Sequence, residues 1–105
     1  MKNIVSPYVP RLLDDSDADV RLLACEIVRN LPGEEASRHL CGLLEVEREA
    51  NVCASAIEVL AEVGGPEALP VLARCAERFR DTPFLAFSIN LTAERIRSQS
   101  SPSSA

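Results

Sequence analysis

Asp15, Asp17, Asp19 and Glu26 stand at positions 1, 3, 5 and 12 of the run DSDADVRLLACE, the spacing at which a calcium loop places its carboxylate ligands. Such a loop needs a flexible residue, normally glycine, at position 6, and extended backbone over positions 7 to 9. Here position 6 is Val20, and the segment from Val20 to Leu31 carries the period of a continuous helix. The competing reading is a turn that feeds a helix. Asp17 then accepts from the free amides of the next helix, and Asp19 in its first turn is favoured by the helix dipole. The sequence favours the cap, and calcium binding is the least favoured of the functional readings below.

Other chemistry is sparse. His39 is the sole histidine, and Cys41 lies two residues away on a different helical face. No Ser-His-Asp or Cys-His set with a third orienting group can be assembled, and no glycine-rich loop follows a strand. Cys25, Cys41, Cys53 and Cys75 form no CxxC or CxH pair, so neither a zinc ribbon nor a redox motif is written. They are expected to be free thiols packed as small hydrophobes. The reading is a non-enzyme with no cofactor and no metal.

Composition bounds the partner. Residues 1–67 hold 13 acids and 6 bases and residues 68–105 hold 3 acids and 5 bases, which gives −7 and +2. An acidic chain repels phosphate backbones, and no aromatic is interleaved with Arg74, Arg78 and Arg80 to stack bases, so no nucleic acid is expected. No apolar run is long enough to span a bilayer. Pro7 and Pro10 come before any run long enough for a secretory signal, and a cytoplasmic location is expected.

The elements that carry these residues repeat. VRLLACEIVRNLPG (20–33) aligns with VCASAIEVLAEVGG (52–65) at an offset of 32, pairing Val20 with Val52, Ala24 with Ala56, Glu26 with Glu58 and Gly33 with Gly65. Val20, Leu23, Ala24, Ile27, Val28 and Leu31 fall at i, i+3, i+4, i+7, i+8 and i+11, one face of a helix. Gly33 and Gly65 are expected to end these helices in the left-handed region. Shorter apolar helices, VPRLL, LCGLL and ALPVL, precede the longer ones. The spacing predicts helices over 7–14, 18–31, 35–46, 50–63, 66–79 and 83–98, with Leu23, Ile27, Leu60 and Leu72 in the core.

Val9-Pro10-x-Leu12-Leu13, then Asp15-x-Asp17-x-x-Val20-Arg21, then an apolar helix closing on Leu31-x-Gly33, resembles the HEAT repeat family in its bacterial HEAT-like form. GGPEALPVL, with Pro70 at the family's first-helix proline, extends the resemblance to roughly residues 7–97. It implies an all-α fold, a short right-handed α-solenoid (an α-α superhelix of the armadillo-like kind) of about three helical hairpins. Residues 1–98 would form one domain and residues 99–105 a disordered Ser/Pro tail. The implied function is a non-catalytic protein-interaction or scaffold module. The alternative is an accessory subunit of an enzyme complex, like the HEAT-like chains of bilin lyases. Two departures stand out. Asn51-Val52-Cys53 replaces the acid-Val-base signature in the second unit, and ERFRDTPF adds about four residues to the third.

Within this frame the partner-binding candidates lie on the second helices outside the inward stripe: Leu22, Cys25, Glu26, Arg29, Ile57, Glu58 and Glu62. The last helix carries two apolar stripes, Phe84-Phe87-Leu91 and Leu85-Ile89-Ile96. With the first taken as inward, the second becomes the candidate face for a homodimer, or the third pair folds back on itself.

Overall fold

The computed structural model describes residues 6–100, and its secondary structure is helical throughout. A 3-10 turn at Ser6–Tyr8 leads into α1 (Val9–Leu13), followed by α2 (Ala18–Val28), α3 (Gly33–Val46), α4 (Ala50–Val63), α5 (Ala68–Arg78) and α6 (Pro83–Ser100). The connections are short, so successive helices double back and pack in pairs, α1 on α2, α3 on α4 and α5 on α6. The second helices also pack side by side, α4 against both α2 and α6, while α3 packs on α5. The resulting body measures 41 × 39 × 16 Å.

Local chemistry explains the boundaries. Asp17 is in an extended conformation and its carboxylate accepts from the Asp19 amide, which starts α2. Pro83 opens α6, where a missing N–H costs nothing. The ending expected at Gly33 is corrected. Helix α2 stops at Val28, the chain turns through Asn30 and Leu31, and Gly33 is the first residue of α3 after an extended Pro32. No glycine among the described residues has a positive φ. Gly64, not Gly65, follows α4, and its value is closeness: a Cβ there would lie 2.6 Å from the Leu60 carbonyl and 3.3 Å from Ile96 Cδ1. At the other end, α6 continues through Ser100, two residues into the segment expected to be tail. Residues 101–105 lie outside the described ones.

The core runs through every helix, with Val9, Val28, Leu40, Leu44, Leu60, Leu72, Leu85 and Ile89 all essentially inaccessible. Leu60 and Leu72 match their expected places. Leu23 does not: it is 62% exposed, and Ile27 is half-buried. The inward face of α2 is instead Arg21, Ala24, Cys25 and Val28, because Arg21 is drawn inward by a carboxylate described below and turns the helix with it.

A similar exchange of faces occurs on α6. Leu85, Ile89 and Ile96, expected as a dimer face, are 0%, 2% and 1% exposed. They pack against the rest of this chain and leave no surface for another. Phe84, Phe87 and Leu91, expected to point inward, are 54%, 68% and 60% exposed. The aliphatic stripe continues through Thr92 and Ala93, both buried, and holds the close approach of Ile96 to Gly64. Phe84, Phe87 and Leu91 lie around the helix from that stripe.

Candidate functional site

Two features meet on the outer surface of the second helices: a charged row across α2 and α4, and an apolar ridge on α6. In the row, the Arg29 guanidinium lies between Glu26, one turn back on α2, at 3.3 Å, and Glu62 on α4. The hydrogen bond to Glu62, then that to Glu26, holds Arg29 well above the usual arginine range. Leu22 is half-buried beside this row, and Glu58 is exposed.

Cys25 and Ile57, read as partner-facing, are instead 0% and 1% exposed. Cys25 lies inward on the face of α2 that also buries Ala24 and Val28, and Ile57 is covered because α4 is packed against α2, α3 and α6 together. Burial, followed by the nearby charges of Glu47 and Glu26, pushes the Cys25 thiol up to about 12. Cys53 is pushed far up by its hydrogen bond with Cys75, then by burial. Cys41 is half-buried and raised by burial. These are free thiols, and their high affinity for the proton makes them poor nucleophiles.

A cleft of about 300 Å³ lies between α4 and α6. Ala54, Glu58 and Ala61 form one wall, Ser88 and Leu91 the other, with Ile57 contributing below. Small residues on α4 leave this trough open, and Leu91 continues it into the exposed ridge of Phe87 and Phe84. Sequence reasoning missed the ridge because it took the aromatic stripe for the core. A usable signal was present: an offset of 33 places Leu85, Ile89 and Ile96 on Val52, Ala56 and Val63, and puts Phe87 at the outward position of Ala54.

Beneath the surface, Glu47 holds the pairs together. Its carboxylate accepts from Arg21 Nε at 2.8 Å and Nη2 at 2.9 Å. The second oxygen also accepts from the backbone amides of Arg48 and Glu49. Arg21 Nη1 donates to the Asp15 carbonyl at 2.7 Å. Glu47 stands 32 residues after Asp15, and Cys53 stands 32 after Arg21, so the second unit lacks its own arginine. Arg78, from α5, takes its place: Nη2 donates to the Glu47 carbonyl at 3.2 Å and to that of Leu44. The base missing from Asn51-Val52-Cys53 is thus supplied by a different helix.

The acidic run forms a capped turn. Asp15 Oδ1 accepts from the Asp17 amide at 2.8 Å and Asp17 Oδ1 from the Asp19 amide at 2.9 Å, while Glu26 is held by Arg29, one turn further on. Positions 7 to 9 of the would-be calcium loop are helical. No group of three or more metal-ligating side chains occurs among the described residues. His39 lies 3.8 Å from Glu35, one turn back on the same helix.

The described residues form helical pairs joined through α2, α4 and α6 and through α3 and α5, and their exposed chemistry is a surface rather than an enclosed pocket. The family model for HEAT repeats matches residues 5–83, and the chain belongs to that family. HEAT repeats commonly mediate protein–protein interaction or scaffolding. The match ends where α6 begins, so the apolar ridge lies beyond the shared pattern. Neither a curated protein nor a solved structure matches the chain. Among the described residues, no helix is long and apolar enough to cross a membrane.

Proposed function

We propose that the protein is a non-catalytic interaction module, a short right-handed solenoid of three HEAT-like hairpins that binds a protein partner along the row of second helices. The observation that carries this reading is the ridge of Phe84, Phe87 and Leu91, more than half exposed on one helix, beside the trough between α4 and α6. Exposed apolar residues scattered singly are ordinary, but three on one helical side next to a groove mark a contact site. Aromatic side chains are efficient anchors because they bury much area with little loss of rotamer freedom. Glu58, exposed at the trough wall, favours a partner that brings a basic residue to that edge. The accessory-subunit reading would require a small-molecule pocket of its own, and no observation favours it over this one.

The test is affinity capture with mass spectrometry, comparing wild type with Phe87→Glu and Leu91→Glu at equal loading. Proteins lost from both variants, while helicity and melting temperature stay unchanged, support the surface. A bound set identical in all three removes the ridge as the contact site.

A further inference from the structure

The trough beside the ridge lies between two helices that run the same way, since α5 reverses the chain between α4 and α6. An offset of 33 sets Leu91 level with Glu58 and Arg95 level with Glu62. The lining of the trough, Ala54 to Ala61 facing Ser88 to Thr92, keeps that register. Arg95 follows Leu91 by four positions and so continues the ridge of Phe84, Phe87 and Leu91. Charges on the neighbouring row are already matched, with Arg29 held between Glu26 and Glu62. Glu58 and Arg95 are exposed and form no ion pair among the described residues. They leave a carboxylate on one wall and a guanidinium on the other, one turn apart along the trough.

Resting on the function proposed above, which makes this surface the contact site, we propose that its occupant is an amphipathic α-helix of the partner. It lies along the trough antiparallel to α4 and α6 and carries an acid four positions before a base. The lining decides between a helix and an extended segment. Extended backbone must find partners for its amides and carbonyls in what it touches. The walls offer Ala54, Ala61, Ile57 and Leu91, and the polar side chains are Ser88, Glu58 and the buried Thr92. A helix satisfies its own backbone and needs from a groove only apolar contact along one stripe. The small Ala54 and Ala61 on one side, and Leu91 with Phe84 on the other, supply that contact. From Phe84 to Arg95 the wall runs about 16 Å, enough for roughly three turns of such a helix. The two unpaired charges orient it. In the antiparallel sense its acid meets Arg95, and its base, one turn later, meets Glu58. Acid before base at i,i+4 is also the order that stabilises the helix itself. Its positive N-terminal end then points to the negative C-terminal ends of α4 and α6.

Random peptides about 16 residues long, displayed on phage and selected on the immobilised full chain, test this. The expected sequences carry apolar residues at the helical period with an acid four positions before a base, and synthetic copies gain helical circular dichroism on binding. Their affinity should fall by about tenfold or more in Leu91→Glu. Ala61→Arg, which fills the trough from the other wall, is the second variant should Leu91→Glu lose structure, and the same fall is expected. Selection on Glu58→Lys should return an acid where wild type selects the base. Peptides that need the ridge but bind extended, carry the base before the acid, or keep the base on Glu58→Lys overturn the proposed helix and leave the ridge as the contact site. Peptides that bind wild type and both trough variants alike overturn the helix and the ridge together. No enrichment on wild type overturns the helix, while the affinity capture above still judges the ridge.

Discussion

Arg21 and Glu47, 26 residues apart, form a two-pronged ion pair inside the fold, with Nε and Nη2 of the guanidinium 2.8 and 2.9 Å from the two carboxylate oxygens. The side chains are 17% and 2% exposed, so both charges are largely removed from water. Desolvation of that kind is tolerated only when geometry and further hydrogen bonds satisfy the ions. Both conditions hold here: Arg21 also donates to the Asp15 carbonyl, and Glu47 accepts from two backbone amides. The pair ties the first hairpin to the turn before α4, and it sets the rotation of α2.

Removing one partner should therefore be much worse than removing both. Arg21→Ala leaves a buried carboxylate without its counter-charge and is expected to cost about 3 to 5 kcal/mol, a large share of the stability of a small domain. Arg21→Met combined with Glu47→Leu should cost clearly less, since no charge is stranded. Urea denaturation of the two variants checks this, and equal losses would show that the pair acts only through packing.

The same carboxylate should make stability sensitive to acid. Burial pushes Glu47 up, but the hydrogen bonds from Arg21 and from the Glu49 amide outweigh it and hold the group below the ordinary carboxylate range. Glu67 is also held low, first by the Ser37 hydroxyl at 2.6 Å. A depressed folded-state pKa contributes stability that is present above the unfolded value, about 4.3, and is lost as pH falls through the folded value. Stability should thus be level around neutrality and fall below about pH 4.3. Glu47→Gln is expected to be less stable than wild type at neutral pH and to converge on it in acid. Thermal melts across that range would show the convergence; parallel curves would assign the acid sensitivity elsewhere.

The helices and their pairing were legible in the sequence because they rest on period and on the repeat. Predicted and observed helices agree within a few residues. The rotation of each helix was less legible, and two residues show why. Arg21 counts as polar in any hydrophobic pattern, yet it faces inward to reach Glu47, so the pattern chose Leu23 in its place. On α6 two stripes were available, and the aromatic one was taken for core. The close approach of Ile96 to Gly64 and the register shared with α4 select the aliphatic one. The surface site followed these errors, since turning a helix by one position, about 100°, moves one edge of its inward face out and brings new residues in. The role of Arg78 is not legible in the sequence, because its partners, the carbonyls of Leu44 and Glu47, are backbone groups that no side-chain pattern reveals.

The acidic turn gives a prediction of the opposite kind, small and local. Asp17→Ala removes a cap from the start of α2 and should cost about 0.5 to 2 kcal/mol. Millimolar calcium should leave the melting temperature unchanged, because a ligand stabilises only by binding the folded state. Saturable calorimetric binding at one site, abolished in Asp15→Ala, would restore the calcium loop.

The exchange of faces on α6 yields the most direct test of the packing. Ile89 is 2% exposed and Phe87, two residues earlier, is 68% exposed. Ile89→Ala removes a buried aliphatic group and is expected to cost about 2 to 5 kcal/mol through lost transfer energy and the cavity left behind. Phe87→Ala removes a larger side chain but leaves no cavity, and a surface change of that type should stay within roughly 0.5 kcal/mol. If the aromatic stripe were the inward one, the order would reverse, because truncating a buried phenylalanine costs about 3 to 5 kcal/mol. Denaturation midpoints of the two variants, compared at equal m-value, therefore decide which stripe is core, with Leu91→Ala expected to follow Phe87→Ala and Leu85→Ala to follow Ile89→Ala.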